Sequence, residues 1–264
     1  MIGDKRAVIP LIRALSDKTI EVRKSVVIGL GELRDKRAVE SIIQVLKDVN
    51  SSARLYAVWA LDQIGDKKAV TPLIHTLKDE NEEVRQNAAR VLGSFGDKSA
   101  ADPLFHALKD PNKQVRIWAA LSLGEIHDKR AIGPLIEVAR EGDWNTQLHE
   151  LFALSEIGDE SAVEPLLQLY ILWVSESRKP LDLLKYTIKE ICQVDIKPLI
   201  QALKHEKWQI REASVMILGE IGDPEAKDSL IQALKDENEK VRRAANEALK
   251  EIEFKEIKED MKDR

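Results

Sequence analysis

"GDKRAVIPLIRAL" (residues 3–15) decides how the rest of this chain is read, because it returns. RDKRAVESIIQVL begins at Arg34, GDKKAVTPLIHTL at Gly65, GDKSAADPLFHAL at Gly96, HDKRAIGPLIEVA at His127 and GDESAVEPLLQLY at Gly158, each 31 residues after the last. The unit opened by Gly158 runs 34 residues to 191, the next runs 30 residues to 221, and GDPEAKDSLIQAL opens another at Gly222. A fixed period of this length, without strand-like alternation, is the mark of a helical repeat. The sequence divides into eight units (3–33, 34–64, 65–95, 96–126, 127–157, 158–191, 192–221 and 222–252), followed by a charged helical extension over 253–264.

Each unit predicts two helices. Asp4, Asp35, Asp66, Asp97, Asp128, Asp159 and Asp223 open the first, where a carboxylate can accept the free N–H groups of the first turn. A glycine precedes most of them, where the previous helix must stop. Pro10, Pro72, Pro103, Pro134, Pro165 and Pro198 fall early in the first helix, where a missing N–H is tolerated. The second helix reads VRxxAAxxLG, and the aspartate upstream (Asp79, Asp110, Asp236) is expected to cap it. Two short helices cannot bury a core alone, but stacked units can. The expected fold is therefore all-α, an α-solenoid or superhelical array of two-helix repeats.

Composition narrows the function. The net charge is −5, charged residues make up 33% and aromatics 5% of the chain. This suits a helical protein with many solvated faces, is compatible with a thermophilic source, and disfavours a general nucleic-acid binder. No apolar run of about 18 residues offers a membrane span. The start, MIGDKRAV, has no apolar signal core. Cys192 is the single cysteine, which excludes an internal disulfide framework and fits a reducing compartment. The expected location is cytoplasmic. Met1 falls almost inside the first repeat, so a fragment, or a partner over that end, is expected.

The repeats resemble HEAT-like repeats, specifically the short group named after phycobilin lyases, over residues 3–252. An Asp and an Arg six residues apart carry the resemblance: Asp17/Arg23, Asp48/Arg54, Asp79/Arg85, Asp110/Arg116 and Asp236/Arg242. The resemblance implies that they form a ladder along the stack. Unit five departs from it with Glu141 and Gln147, unit six has neither member and carries LWVSESRKPLD (172–182), and unit seven has His205 with Arg211. Trp144, Trp173 and Trp208 bracket this irregular region. They either plug the packing gap left by an irregular unit or form a rim that touches a partner or marks a bend.

Within "VRIWAALSLGEI" (115–126), Trp118 is the residue out of place. At about 100° per residue it lies opposite the Val115/Ala119/Leu123/Ile126 face, in a stripe with positions 114, 117, 121 and 125. The resemblance implies that the second helix lines the concave side of the array. The centre of the stripe is apolar and aromatic in units two, four, five and six, and the ends are polar. The expected groove comprises Leu55, Tyr56, Trp59, Arg90, Ile117, Trp118, Leu121, Leu148, His149, Phe152, Leu183, Tyr186 and Met216. Apolar residues that a stack does not need to bury point to a binding surface; the alternative is that they fill the inner face of a tightly curved array. Acids outnumber bases along the stripe, which repels phosphates and suits a protein or peptide partner with apolar anchors and basic flanks.

Catalytic signals are absent from the sequence. Deoxyhypusine hydroxylase has similar repeats and binds two irons through His-Glu pairs in four of them. Here His149-Glu150 stands alone against pairs such as Trp118-Ala119 and Asn87-Ala88, so that activity is not expected. His75 and His106 occupy equivalent positions on the polar face of first helices, and Cys192 has no nearby histidine. Neither a phosphate-binding glycine loop nor a nucleophile elbow appears. No metal or cofactor is expected, and no enzyme. The sequence reads as a protein-interaction scaffold or adaptor that takes a peptide, helix or protein surface in an aromatic-lined, acidic-flanked groove. The runner-up, implied by the resemblance alone, is a bilin-lyase-like or chaperone-like factor for cofactor attachment.

Overall fold

The computed structural model describes residues 4–141, 144–175 and 181–261, and the side chains of all of these except 141, 144–146, 259 and 260. Among the described residues every regular element is a helix. The α-helices come in pairs: α1 (Val8–Ala14) and α2 (Ile20–Leu33), α3 (Val39–Val45) and α4 (Ser51–Ile64), α5 (Val70–Thr76) and α6 (Glu82–Phe95), α7 (Ala101–Ala107) and α8 (Lys113–Glu125). The pairs continue with α9 (Ile132–Glu141) and α10 (Trp144–Ile157), α11 (Val163–Ser175) and α12 (Leu181–Cys192), α13 (Lys197–Ala202) and α14 (Trp208–Ile221), α15 (Lys227–Ala233) and α16 (Glu239–Asp260). The chain forms two compact bodies, residues 1–134 and 135–264. In the first, α2, α4, α6 and α8 pack in sequence; in the second, α10, α12, α14 and α16 do so. The fold class is the all-α repeat array that the 31-residue period predicts.

The opening motif folds as its residue types dictate. Asp35 lies extended and accepts the N–H of Arg37 at 3.0 Å, which starts a short 3-10 turn that runs into α3. Asp66, Asp97 and Asp128 act in the same way. The chain enters the motif through a left-handed residue, with φ of 67° at Gly65 and 78° at Gly222. Arg34 and His127 take that conformation without glycine, at φ of 49° and 59°. Proline stands third in α1, α5, α7, α9 and α11, where the backbone N–H would have no helical partner.

The second helices correct the sequence reading by two residues. Their caps are Asn50, Asn81 and Asn112, not the aspartates upstream. Asn81 Oδ1 accepts the N–H groups of Glu83 and Val84 at 3.0 and 3.2 Å, while Asp79 accepts the N–H of Asn81 at 2.9 Å. The aspartate is thereby left with a free side for another ligand.

That ligand is an arginine from the preceding unit. Arg23 grips Asp48 through Nε and Nη2 at 2.7 and 3.0 Å. Arg54 grips Asp79 at 2.7 Å through both nitrogens, and Arg85 grips Asp110 at 2.8 and 2.9 Å. Arg211 and Asp236 repeat the pair at 2.7 and 2.9 Å. The Asp and Arg six residues apart therefore do not pair through their side chains. Instead Nη1 of each arginine turns back to the carbonyl of its own unit, as Arg54 does to Asp48 O at 2.8 Å. The planar fork suits this task, because it can hold a carboxylate and a carbonyl at once. Where the ladder stops, both partners change. Leu181 stands at the arginine position of unit six, and His205 replaces the aspartate of unit seven. His205 Nδ1 still accepts the Lys207 N–H at 3.0 Å, so the loop is kept where no guanidinium calls for a carboxylate. Gln147, at the arginine position of unit five, is buried and donates to Ala139 O at 3.1 Å.

The ladder makes stability depend on pH. The Arg23 hydrogen bond holds the Asp48 carboxyl below the usual carboxylate range, and Arg211 does the same for Asp236. At Asp110 burial pushes upward, and is outweighed by hydrogen bonds from Arg85 and the Asn112 N–H. A lowered folded-state value means that ionisation favours the folded chain. The contribution is complete above the ordinary aspartate value of about 3.9 and is lost as the pH falls through the folded values. Thermal melts should hold level from about pH 7 to about pH 5 and drop steeply below about pH 4. Asp48→Asn should lower the neutral-pH melting temperature and make the acid drop shallower; an unchanged acid profile would show that the ladder does not set it.

Candidate binding face on the second helices

In the first body, the helical phase brings Leu55, Tyr56, Trp59, Arg90 and Trp118 to partly exposed positions on α4, α6 and α8. Tyr56, Trp59 and Arg90 already have work within the stack. The Trp59 ring lies over Gly31 of the preceding unit, and Lys24 Nζ sits 5.7 Å from the Tyr56 ring centre. Arg90 pairs with Asp62 at 3.0 Å, and Ser94 donates to the same carboxylate at 3.2 Å. Asp62 stands where units one, three and seven have Gly31, Gly93 and Gly219, so this junction is tied by charge where the others close on glycine. Ile117 and Leu121 depart from the sequence reading: at 7% and 8% exposed they are packed, not presented. Gly93 of α6 lets Ser122 of α8 come close, and Ala119 and Ala120 are fully buried, so the core reaches further round α8 than one stripe.

Trp118 itself is partly exposed, while Ala119 and Leu123 are fully buried. Truncation should accordingly cost less than a core tryptophan would. Trp118→Ala is expected to lower stability by about 1–2 kcal/mol, below the roughly 3–5 kcal/mol of a fully buried site. Urea melts of the two proteins measure this, and a loss at the upper end would place Trp118 in the core.

The second body presents its apolar residues more openly. Phe152 on α10 and Tyr186 on α12 are 48% and 47% exposed, and Met216 on α14 is partly exposed in the same repeat position. Leu148 and Leu183 flank them half-buried, and His149 is exposed. The Glu190 carboxylate beside the Tyr186 hydroxyl pushes that phenol above its ordinary value. Glu220 on α14 takes Lys185 at 3.2 Å and Lys189 at 3.6 Å from α12. The core side holds Glu150, which the sequence reading weighed only as half of a lone His-Glu pair. Glu150 is fully buried where other units have Ala57, Ala88 or Ala119. A charged residue at an otherwise small apolar position was the available signal.

The proposed rim separates into different roles. Trp173 is fully buried, because the inserted stretch continues α11 as far as Ser175 and carries the indole into the core. Trp208 is partly exposed with Lys240 Nζ 4.9 Å from its ring centre. The Trp144 side chain lies outside the described residues. His75 and His106 are exposed and line an open hollow of about 520 Å³ between α5 and α7, together with Lys78, Lys109 and Asp110. Burial pushes the Cys192 thiol up to about 12, so at neutral pH it is not a thiolate nucleophile. Among the described residues no group of three or more His, Cys, Asp or Glu is placed to hold a metal ion, and no helix is long and apolar enough to cross a membrane.

Known proteins share this architecture. The HEAT-repeat model matches residues 39–110, 101–171 and 196–262, and the PBS lyase HEAT-like repeat model matches residues 22–48. Among solved structures, the complex of CpcE and CpcF of phycocyanin lyase from Nostoc sp. PCC7120 is 27% identical over 81% of this chain and 86% of that one, with a TM-score of 0.49. Human deoxyhypusine hydroxylase in complex with glycerol is 20% identical over 94% and 96% of the two chains, with a TM-score of 0.44. An engineered protein is 18% identical over 93% and 78%, with a TM-score of 0.54, a likeness of fold alone. No curated protein matches the chain significantly. With three matched segments that together span most of the sequence, the chain belongs to the HEAT-repeat proteins.

Proposed function

We propose that this chain is an interaction scaffold whose second-helix face takes a peptide, a helix or a protein surface. One observation carries the reading: Phe152 and Tyr186 stand about half exposed on α10 and α12, the second helices of adjacent units. Aromatic side chains are the commonest anchors at interfaces, and leaving them in water has a cost that a partner would remove. On this reading Leu148, His149, Leu183 and Met216 complete the face in the second body. Leu55, Tyr56, Trp59, Arg90 and Trp118 offer a more closely packed one in the first.

The test is a selection of displayed peptides on the full chain. Peptides should enrich over the bare support, and Phe152→Asp or Trp118→Asp should release them. Failure to enrich any peptide would overturn the reading. The match of residues 22–48 to PBS lyase HEAT-like repeats makes bilin handling the competing outcome. It would show as an absorbance shift when a free bilin is titrated into the protein, and no shift is expected here.

A further inference from the structure

One repeat position gives the second body a feature that the first lacks. Glu156, Glu190, Glu220 and Glu251 occupy it in four consecutive units, where the first body has Glu32, Gln63, Ser94 and Glu125. α10, α12, α14 and α16 pack in that order, so the four carboxyl-bearing positions form a row along one edge of the face. Phe152, Tyr186 and Met216 form a second, parallel row four residues earlier on three of the same helices. An exposed apolar row beside an acidic row is an amphipathic surface, and its complement is an amphipathic ligand with basic residues on one flank.

The spacing selects the kind of ligand. Packed helices stand about 8–10 Å apart, so both rows repeat at about that distance. An α-helix advances about 10.5 Å in a heptad. A helix laid across α10, α12 and α14 would thus meet Phe152, Tyr186 and Met216 with apolar side chains in heptad register, and the acidic row with lysines or arginines in the same register. An extended strand has no comparable match, since its side chains return to one face about every 6.8 Å. The groups already on the face agree with this. Glu220 is held by Lys185 and Lys189, and Glu190 accepts from Gln193 at 2.9 Å, so the row is oriented by its own neighbours before a ligand arrives. Glu212, Asp182 and Glu247 add negative charge, against Lys185 and Lys189 in the middle of the face and Arg243 and Lys240 at the far end.

We propose that the face formed by Phe152 and Glu156 on α10, Tyr186 and Glu190 on α12, and Met216 and Glu220 on α14 is a docking site for a basic amphipathic helix whose apolar and cationic residues recur in heptads. This rests on the scaffold reading above and deepens it. The probe is a synthetic helical peptide of about 20 residues, with leucines in heptad register and lysines along one flank. It is titrated into the full chain beside a scrambled peptide of the same composition and a version with glutamate for lysine. The heptad peptide should bind at least about 10-fold more tightly than either control, and added salt should narrow its advantage over the glutamate version. Tyr186→Ala and Phe152→Ala should each weaken it about 10-fold. Glu190→Gln should weaken it about 3-fold and flatten the salt dependence.

Equal binding of the scrambled peptide would overturn the proposal, as would full affinity in both Tyr186→Ala and Phe152→Ala. Because both aromatic side chains are about half exposed, circular dichroism melts should show these variants folded, and binding can be read on them directly. Selected peptides that depend on Trp118 and ignore Tyr186 would sink this proposal while leaving the scaffold reading in place.

Discussion

Asp79→Ala is expected to lower the unfolding free energy by about 3 kcal/mol, more than other single charge deletions on this chain. Asp79 accepts Nε and Nη2 of Arg54, each at 2.7 Å, and the Asn81 N–H at 2.9 Å. Arg54 is 6% exposed, so deletion strands a largely buried guanidinium and leaves a helix-cap loop without its acceptor. Breaking a buried pair from one side costs about 3–5 kcal/mol, and the exposed Glu80 at 3.1 Å from Arg54 offsets part of that. Glu125→Gln is the matched control. Its carboxylate rests over Gly93, and burial pushes it above the ordinary value, so losing the charge should be neutral or slightly stabilising at pH 7. Urea melts of the two variants measure the contrast. Equal destabilisation would mean that the ladder contributes nothing particular to the stack.

Gly219→Val should be as damaging, for a steric reason. A Cβ at Gly219 would lie 2.8 Å from the Ala248 backbone Cα and 2.7 Å from its Cβ. Backbone cannot swing aside as a side-chain tip can, so α14 and α16 must separate along their whole contact. Overpacking of this kind typically costs about 1–3 kcal/mol, and a branched side chain belongs at the upper end. Gly133→Ala provides the opposite sign, because nothing lies within 4 Å of the Cβ it would add in α9. There the gain in helix propensity should stabilise by up to about 1 kcal/mol. If Gly219→Val melts with the wild-type chain, the close approach of α14 and α16 is not a feature of the folded protein in solution.

Much of this was legible in the residues. The 31-residue period, the Asp that opens seven of the eight first helices and the left-handed glycines follow from local chemistry, and local chemistry repeats with the sequence. The Trp118 phase was legible for the same reason, since about 100° per residue fixes which side chains share a face. The capping residue was also in plain sight as the Asn of Asp-x-Asn. It was missed because an aspartate two residues earlier satisfies the same preference for a side-chain oxygen.

Local residue chemistry settles the unit: two helices, their start and stop signals, and the phase of each face. Packing between units settles which residues meet across them. Arg54 takes Asp79 and not Asp48, because the stack brings the next loop within reach of the fork while its own aspartate is already held by Arg23 and the Asn50 N–H. Trp173 goes to the core because α11 runs on through the insertion, which no repeat template foretells. Ile117 and Leu121 are covered while Phe152 and Tyr186 are not, although all four share the outward stripe. Neighbouring units differ at the residue where helices come closest: Gly93 of α6 meets Ser122 of α8, the helix that carries Ile117 and Leu121, whereas Ser155 and Lys189 hold that position on α10 and α12.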